Sequence, residues 1–248
     1  MDKIILCYAR PVKTTRLLRH ESFPFLEYKE GSIIHSRKTH THIQWSLSYL
    51  VSGETHVSIG NETVSMKASE CLSIPPLIPH LCTPYETQEF QFGVLYIPTQ
   101  LLTPYKSFIH QLSIGHMPIT EFNTFVNQFI QAKNQQSIHA LFEKLTQSFT
   151  IKTPIKKQNR LFKNTYNLVK YSSRNERYKE YYNLRNRFGT GKKTIEQIFK
   201  IEKAKSLLAT NLSICEIAQE CGFYDQSHFH RCFRQFTGLT PLQYKGKQ

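Results

Sequence analysis

Leu212–Tyr244, LSICEIAQECGFYDQSHFHRCFRQFTGLTPLQY, decides the fold of the C-terminal part of the chain. It reads as a helix, a tight turn and a second helix. Ser213 is placed to cap the first helix, with Glu216 three residues on as the reciprocal partner of a capping box. Ile217 and Ala218 face inward. Gly222 ends that helix, because glycine enters the left-handed conformation without steric cost. Asp225 then caps a new helix. In it Phe229, Cys232, Phe233 and Phe236 fall at i, i+3, i+4 and i+7, a single apolar stripe. Thr237-Gly238 stops it, and Pro241 suits the first turn of a last short helix.

The opposite face carries Ser227, Arg231 and Arg234, with Gln226 and His230 on its flanks. These residue types read base edges and phosphates in a major groove. Arg231 can hold guanine by two parallel bonds, and Gln226 can do the same for adenine. Arg234 lies farther along and suits a phosphate. An isolated charged helix would merely meet water. Here the turn glycine, two caps and the stripe occur together, and double-stranded DNA is the expected partner.

The same stretch resembles the second helix-turn-helix of the AraC/XylS family of bacterial transcription regulators. Ile214, Ile217, Ala218, Gly222-Phe223, Phe229, Arg231, Phe233, Thr237-Gly238, Thr240-Pro241 and Tyr244 carry the resemblance. Ile201–Leu208, IEKAKSLL, matches the helix that precedes it in that family. The resemblance implies a sequence-specific regulator, more often an activator than a repressor, that works with RNA polymerase.

Charge supports the division of labour. Residues 152–248 carry 20 Lys and Arg against 7 Asp and Glu, while residues 1–151 hold 12 against 11. Nearly all of the +14 net charge therefore sits in the C-terminal part. A basic domain beside a neutral one is expected to meet a polyanion alone. No apolar run approaches the roughly 18–20 residues that span a membrane. The N-terminal MDKIILCYARPVK is too short in apolar residues for a secretory signal. The six cysteines show no C-x-x-C pairing and read as small buried thiols in a reducing cytoplasm.

Residues 1–105 read as β-structure. Trp45, Leu47, Tyr49 and Val51 alternate with Gln44, Ser46 and Ser48, and Gly53 marks a turn. Thr55–Ile59 and Thr63–Met66 flank the hairpin signal Gly60-Asn61. Cys71–Ile74 and the alternating Phe90, Phe92, Val94 and Tyr96 follow, each stopped by proline. Short strands at this spacing argue for a small barrel or sandwich. Their order resembles the cupin-like effector domain at the N-terminus of many AraC-family proteins, through His40-x-His42, the Gly53–Gly60 hairpin and Ile74-Pro75 leading to Pro79-His80. That resemblance implies a pocket for a small-molecule effector, with His40, His42, Trp45, Tyr49 and His80 as candidates to line it. His-x-His plus a later histidine is also the three-nitrogen set of metal-binding cupins, and imidazole suits zinc, iron or nickel. Those enzymes usually add a glutamate where this chain has Ser46 and Leu47. The expectation is therefore pocket-lining histidines with no metal and no cofactor, a metal-dependent cupin enzyme being the alternative. No paired carboxylates or nucleophile–base spacing marks a catalytic residue.

Residues 106–151 change period. Ile119, Phe122, Val126, Phe129 and Ile130 form one helical stripe, and Leu141, Phe142, Leu145 and Phe149 a second, across the polar Asn134–Ser137. This helical hairpin either packs on the barrel or serves as the contact of a homodimer. Residues 152–160, KTPIKKQNR, read as a linker, and 161–248 as an all-helical DNA-binding domain. A first helix-turn-helix copy aligns in two ways. Either Leu184-Arg185-x-x-Phe188-Gly189 precedes a recognition helix that presents Lys192, Lys193, Glu196, Gln197 and Lys200 to phosphates, or Gly189 follows a recognition helix in Tyr178–Arg187. Lys192–Thr210 contains no break, yet its stripe changes side, so the turn that the first alignment requires between Phe199 and Glu202 is missing from the sequence. The sum is an α+β two-domain chain in the cytoplasm, a cupin-like barrel with a helical hairpin followed by an all-α helix-turn-helix domain.

Overall fold

The computed structural model describes residues 15–23, 25–32, 39–59, 62–76, 78–85, 90–154 and 192–246. Gly60-Asn61, most of the linker and both alignments' turn at Gly189 lie outside them. The alternation in β3 (Trp45–Ser52) is realised as a strand between β6 (Glu70–Ile74) and β8 (Gln91–Ile97). With β1 (Arg16–Arg19), β2 (Glu27–Gly31), β9 (Ser113–His116) and β10 (Thr150–Pro154) these make a seven-stranded sheet in the order β1-β2-β8-β3-β6-β9-β10. A three-stranded sheet, β5-β4-β7, joins β4 (Glu54–Ile59), β5 (Glu62–Lys67) and β7 (Leu81–Pro84). The strands thus form two sheets with no closed barrel among the described residues; of the barrel and the sandwich that the sequence allowed, two layered sheets are what form.

The two faces of β3 have different tasks. Leu50 joins Val57, Ile59, Met66, Phe92 and Val94 in a core between the sheets. Trp45, Leu47 and Tyr49 enter a second core, against α2 (Ile119–Ile130) and α3 (Gln135–Ser148). Asn134 caps α3 by accepting from the Ser137 N–H at 2.8 Å. Phe142 meets Trp45 edge-on at 5.1 Å, and Phe122 stacks on Tyr49 at 4.9 Å. Burial of each such ring contributes roughly 1.5–3 kcal/mol. The hairpin's apolar stripes therefore pack on the chain's own sheet. Residues 106–151 also hold the short α1 (Lys106–Ile109) and β9. β10 pairs Thr153 and Pro154 with Ile114 and Ser113, so the stretch read as linker begins inside the sheet.

In the C-terminal part, α4 (Lys192–Leu208), α5 (Ile214–Glu220), α6 (Gln226–Thr237) and α7 (Pro241–Lys245) share one core. Ile198, Ile201, Ala204 and Leu208 of α4 face it, joined by Leu17 from β1. α4 runs unbroken through Phe199–Glu202, so the break required by the first alignment is absent. Among the described residues no helix is long and apolar enough to cross a membrane. Of the described cysteines, Cys71, Cys221 and Cys232 are buried as expected, but Cys82 is only partly covered and Cys215 is exposed.

Candidate DNA-reading face and ligand cavity

The turn between α5 and α6 is built by local chemistry. Ser213 accepts from the Glu216 N–H at 3.3 Å, and Glu216 accepts from the Ser213 N–H at 2.8 Å. Gly222 takes φ +69°, and the Phe223 N–H reaches the Ala218 carbonyl at 2.9 Å, closing α5. Asp225 accepts from the His228 N–H at 2.6 Å and opens α6. Phe229, Cys232, Phe233 and Phe236 are buried, while Gln226, Ser227, Arg231 and Arg234 are exposed. Ser227, Arg231 and Arg234 follow the i, i+4, i+7 rhythm, so the polar edge runs about 10 Å along the helix. Tyr224, 92% exposed just before α6, adds an aromatic hydroxyl that the stripe pattern did not flag.

Other candidates fall elsewhere. His230 is half-buried with its Nε2 enclosed, so its tip does not share the open face. Lys200 donates to the Gly222 carbonyl and lies 5.4 Å from the Phe223 ring centre, which makes it a cap on α5. Gln197 turns to Cys232 at 3.6 Å, against the buried side of α6. Both were expected on an outward face, and the continuity of α4 turns them toward its neighbours instead. Lys193 is exposed, and the Lys192 side chain lies outside the described part.

Between the two sheets lies a small, mostly apolar cavity of about 40 Å³, partly open to solvent. Leu50, Met66, Phe92, Val94 and Tyr96 line it, with His42 and His80. Tyr49 borders it, although its ring stacks on Phe122 on the far side of the sheet. Trp45 belongs to the helix-side core, donating its indole N–H to Ser73 at 3.0 Å. The expected pocket face of β3 was thus the opposite one: pleating sends Ser48 and Leu50 toward the cavity. Ser46 is buried and Ser48 half-buried, so this polar side of β3 is not an open solvent face.

His40, His42 and His80 do come together. His40 and His80 exchange backbone bonds of 3.0 and 2.9 Å, and their rings lie 4.4 Å apart. The His42 ring is 5.0 Å from His40 and 5.1 Å from His80. His80 Nδ1 bonds the Ile78 carbonyl at 2.9 Å. Burial pushes His80 down to about 4, so the ring is neutral near pH 7.

A buried polar cluster that no spacing announced joins the sheets to the helices. Glu27 accepts from the Tyr244 hydroxyl at 2.9 Å and from Arg19 at 2.8 Å. The Arg19 guanidinium lies 4.1 Å over the Tyr244 ring. Lys29 donates to the Thr237 carbonyl, and burial, aided by Lys205, pushes it down to about 7. Lys205 pairs with Glu202 at 2.5 Å, both largely enclosed. A small cavity among Glu27, Lys29, Lys205 and Tyr244 shares His42 and Tyr96 with the apolar one.

A cavity-bearing sheet domain gripping a helix-turn-helix unit with an exposed polar face defines a ligand-binding, DNA-binding regulator. Residues 27–165 match the AraC-like ligand binding domain and residues 176–247 a helix-turn-helix domain. The chain belongs to the AraC family of transcription regulators. It is 45% identical over 49 residues to the uncharacterized HTH-type transcriptional regulator YpdC of Escherichia coli, covering 19% of this chain and 17% of that protein. It is 48% identical over 42 residues to the porin thermoregulatory protein EnvY of Escherichia coli, covering 17% of each chain. The matched stretches thus span about a sixth of those relatives. The fold is similar to ToxT of Vibrio cholerae O395, with a TM-score of 0.53 and 15% identity over 94% of this chain and 95% of that one. It is also similar to wild-type ToxT of Vibrio cholerae strain SCE256 bound to an unsaturated fatty acid, with a TM-score of 0.52 and 13% identity over 94% and 93% of the two chains.

Proposed function

We propose that this chain is a cytoplasmic, ligand-responsive transcription activator and not an enzyme. Its effector is an apolar molecule ending in a carboxylate. It reads duplex DNA through Gln226, Ser227, Arg231 and Arg234, with Lys193 on phosphate. By its family it acts as a homodimer beside RNA polymerase. Residues 1–154 form the effector unit, and the helix-turn-helix unit occupies the C-terminal part.

One observation carries this reading: the apolar cavity and the buried cations Lys29 and Lys205 share the wall formed by His42 and Tyr96. The apolar lining of the first suits an acyl body once its walls part to admit one, and a carboxylate is the charge that buried ammonium groups favour. The unsaturated fatty acid bound to ToxT has that chemistry. Lys29 also holds Thr237, at the end of α6. A carboxylate that drew Lys29 away would loosen the recognition helix from the sheet domain, a differential contact of the kind coupling requires.

Fluorescence anisotropy tests it, using a labelled family-type promoter fragment, its scrambled counterpart and added palmitoleate. The promoter should bind at least tenfold tighter than the scramble, and palmitoleate should shift that affinity several-fold. Equal affinity for both fragments overturns the DNA assignment, and an affinity indifferent to palmitoleate overturns the effector assignment.

A further inference from the structure

We propose that His40, His42 and His80 form a binding site for a borderline divalent transition metal, zinc or its neighbours cobalt and nickel, held by three imidazole nitrogens. His40 and His42 stand two residues apart just before β3, and their rings lie 5.0 Å from each other. The antiparallel bridge between His40 and His80 brings the third ring opposite. All three residues are buried, and one nitrogen from each lies within 4.8 Å of the other two. Zinc–nitrogen bonds of about 2.0–2.1 Å place tetrahedral ligand nitrogens roughly 3.4 Å apart. Small side-chain rotations close the difference.

The orientation of His80 fits a ligand. A carbonyl can only accept, so the bond to Ile78 fixes the proton on Nδ1 and leaves the Nε2 lone pair toward the cluster. Ligating histidines are commonly held in this way by a second bond to a backbone carbonyl. Aliphatic side chains would fill the same space without polar atoms, so packing alone does not call for three imidazoles. The chemistry selects against magnesium and calcium, which take oxygen donors. The positive charge of Lys205, which is felt at His80, is offset by Glu202 2.5 Å away. Ser46 and Leu47 bring no carboxylate, so three nitrogens leave at least one coordination position open. His42 and His80 also line the apolar cavity, and that position is available to water or to a donor atom of a bound molecule.

The metal assignment is independent of the effector's identity, and the two fail separately. The full-length protein, stripped with a chelator and dialysed, is titrated with zinc by calorimetry. One equivalent per chain should bind with micromolar or tighter affinity. His42→Ala and His80→Ala should each weaken it at least 100-fold. His56→Ala, at a half-buried histidine against Tyr85 outside the cluster, should not. X-ray absorption of the zinc-loaded wild-type protein counts ligands without any variant, and three imidazoles are expected. Absence of stoichiometric binding, zinc retained fully by folded His42→Ala protein, or a shell with sulfur at about 2.3 Å each overturns the site. A palmitoleate response that persists in zinc-free protein leaves the effector assignment standing.

Discussion

Lys29 is an ammonium group inside the protein, donating to the Thr237 carbonyl with its titration pushed down to about 7. An unfolded lysine stays protonated to about 10.4. Between these values the unfolded chain binds more protons than the folded one, so this residue makes stability rise with pH across that window. Lys29→Met removes the contribution. In urea titrations the variant's stability relative to wild type should therefore be highest near pH 7 and fall toward pH 9.5. A difference independent of pH would mean the lysine is not held as described. Arg231 poses the opposite case, a cation left in solvent. Arg231→Ala should cost about 1–3 kcal/mol on the cognate site and relax preference at one base pair, read by competition anisotropy. Equal loss on every sequence would make it a phosphate contact.

At the scale of an element, α4 is the instructive helix. It is amphipathic, yet its buried side includes the ion pair of Glu202 and Lys205. Both groups are desolvated, and burial raises the Glu202 carboxyl while Lys205 lowers it. Removing one partner strands the other. Glu202→Ala should destabilise the protein by roughly 3–5 kcal/mol, whereas Glu202→Met with Lys205→Met should restore most of that loss. Thermal unfolding compares the two, and additive losses would show that the pair does not act as a unit. α5 and α6 behave differently, because their boundaries rest on bonds spanning three to five residues at Ser213, Gly222 and Asp225. The strands β1, β9 and β10 carry no such local marks. Each is four or five residues long and is defined by the partner it pairs with.

At the scale of the whole molecule, the Glu27–Tyr244 contact spans 217 residues. Tyr244→Phe deletes a charge-assisted bond and leaves Arg19 as the hydrogen-bonded side-chain partner of Glu27 among the described residues. That should cost about 1.5–3 kcal/mol. It should also speed amide hydrogen exchange in α6 and α7 several-fold, as the helical part separates more often from the sheets. Exchange at the wild-type rate would show that the contact does not hold the two parts together.

The sequence by itself determined the helix-turn-helix, its exposed arginine face, the alternating strands and the apolar hairpin. Each is written in caps, turns and periodicities that act over a few residues. Only the tertiary structure decided which face of β3 meets the cavity, because alternation separates two faces without saying what covers either. It also decided that Lys200 and Gln197 reach across to the ends and flanks of α5 and α6. The gathering of Glu27, Lys29, Lys205 and Tyr244 depended on it as well, whereas the three histidines were already grouped by the His-x-His spacing and the later His80. Glu27 and Lys29 lie far along the chain from Lys205 and Tyr244, and the burial and charge of that cluster exist only once sheets and helices have closed around it.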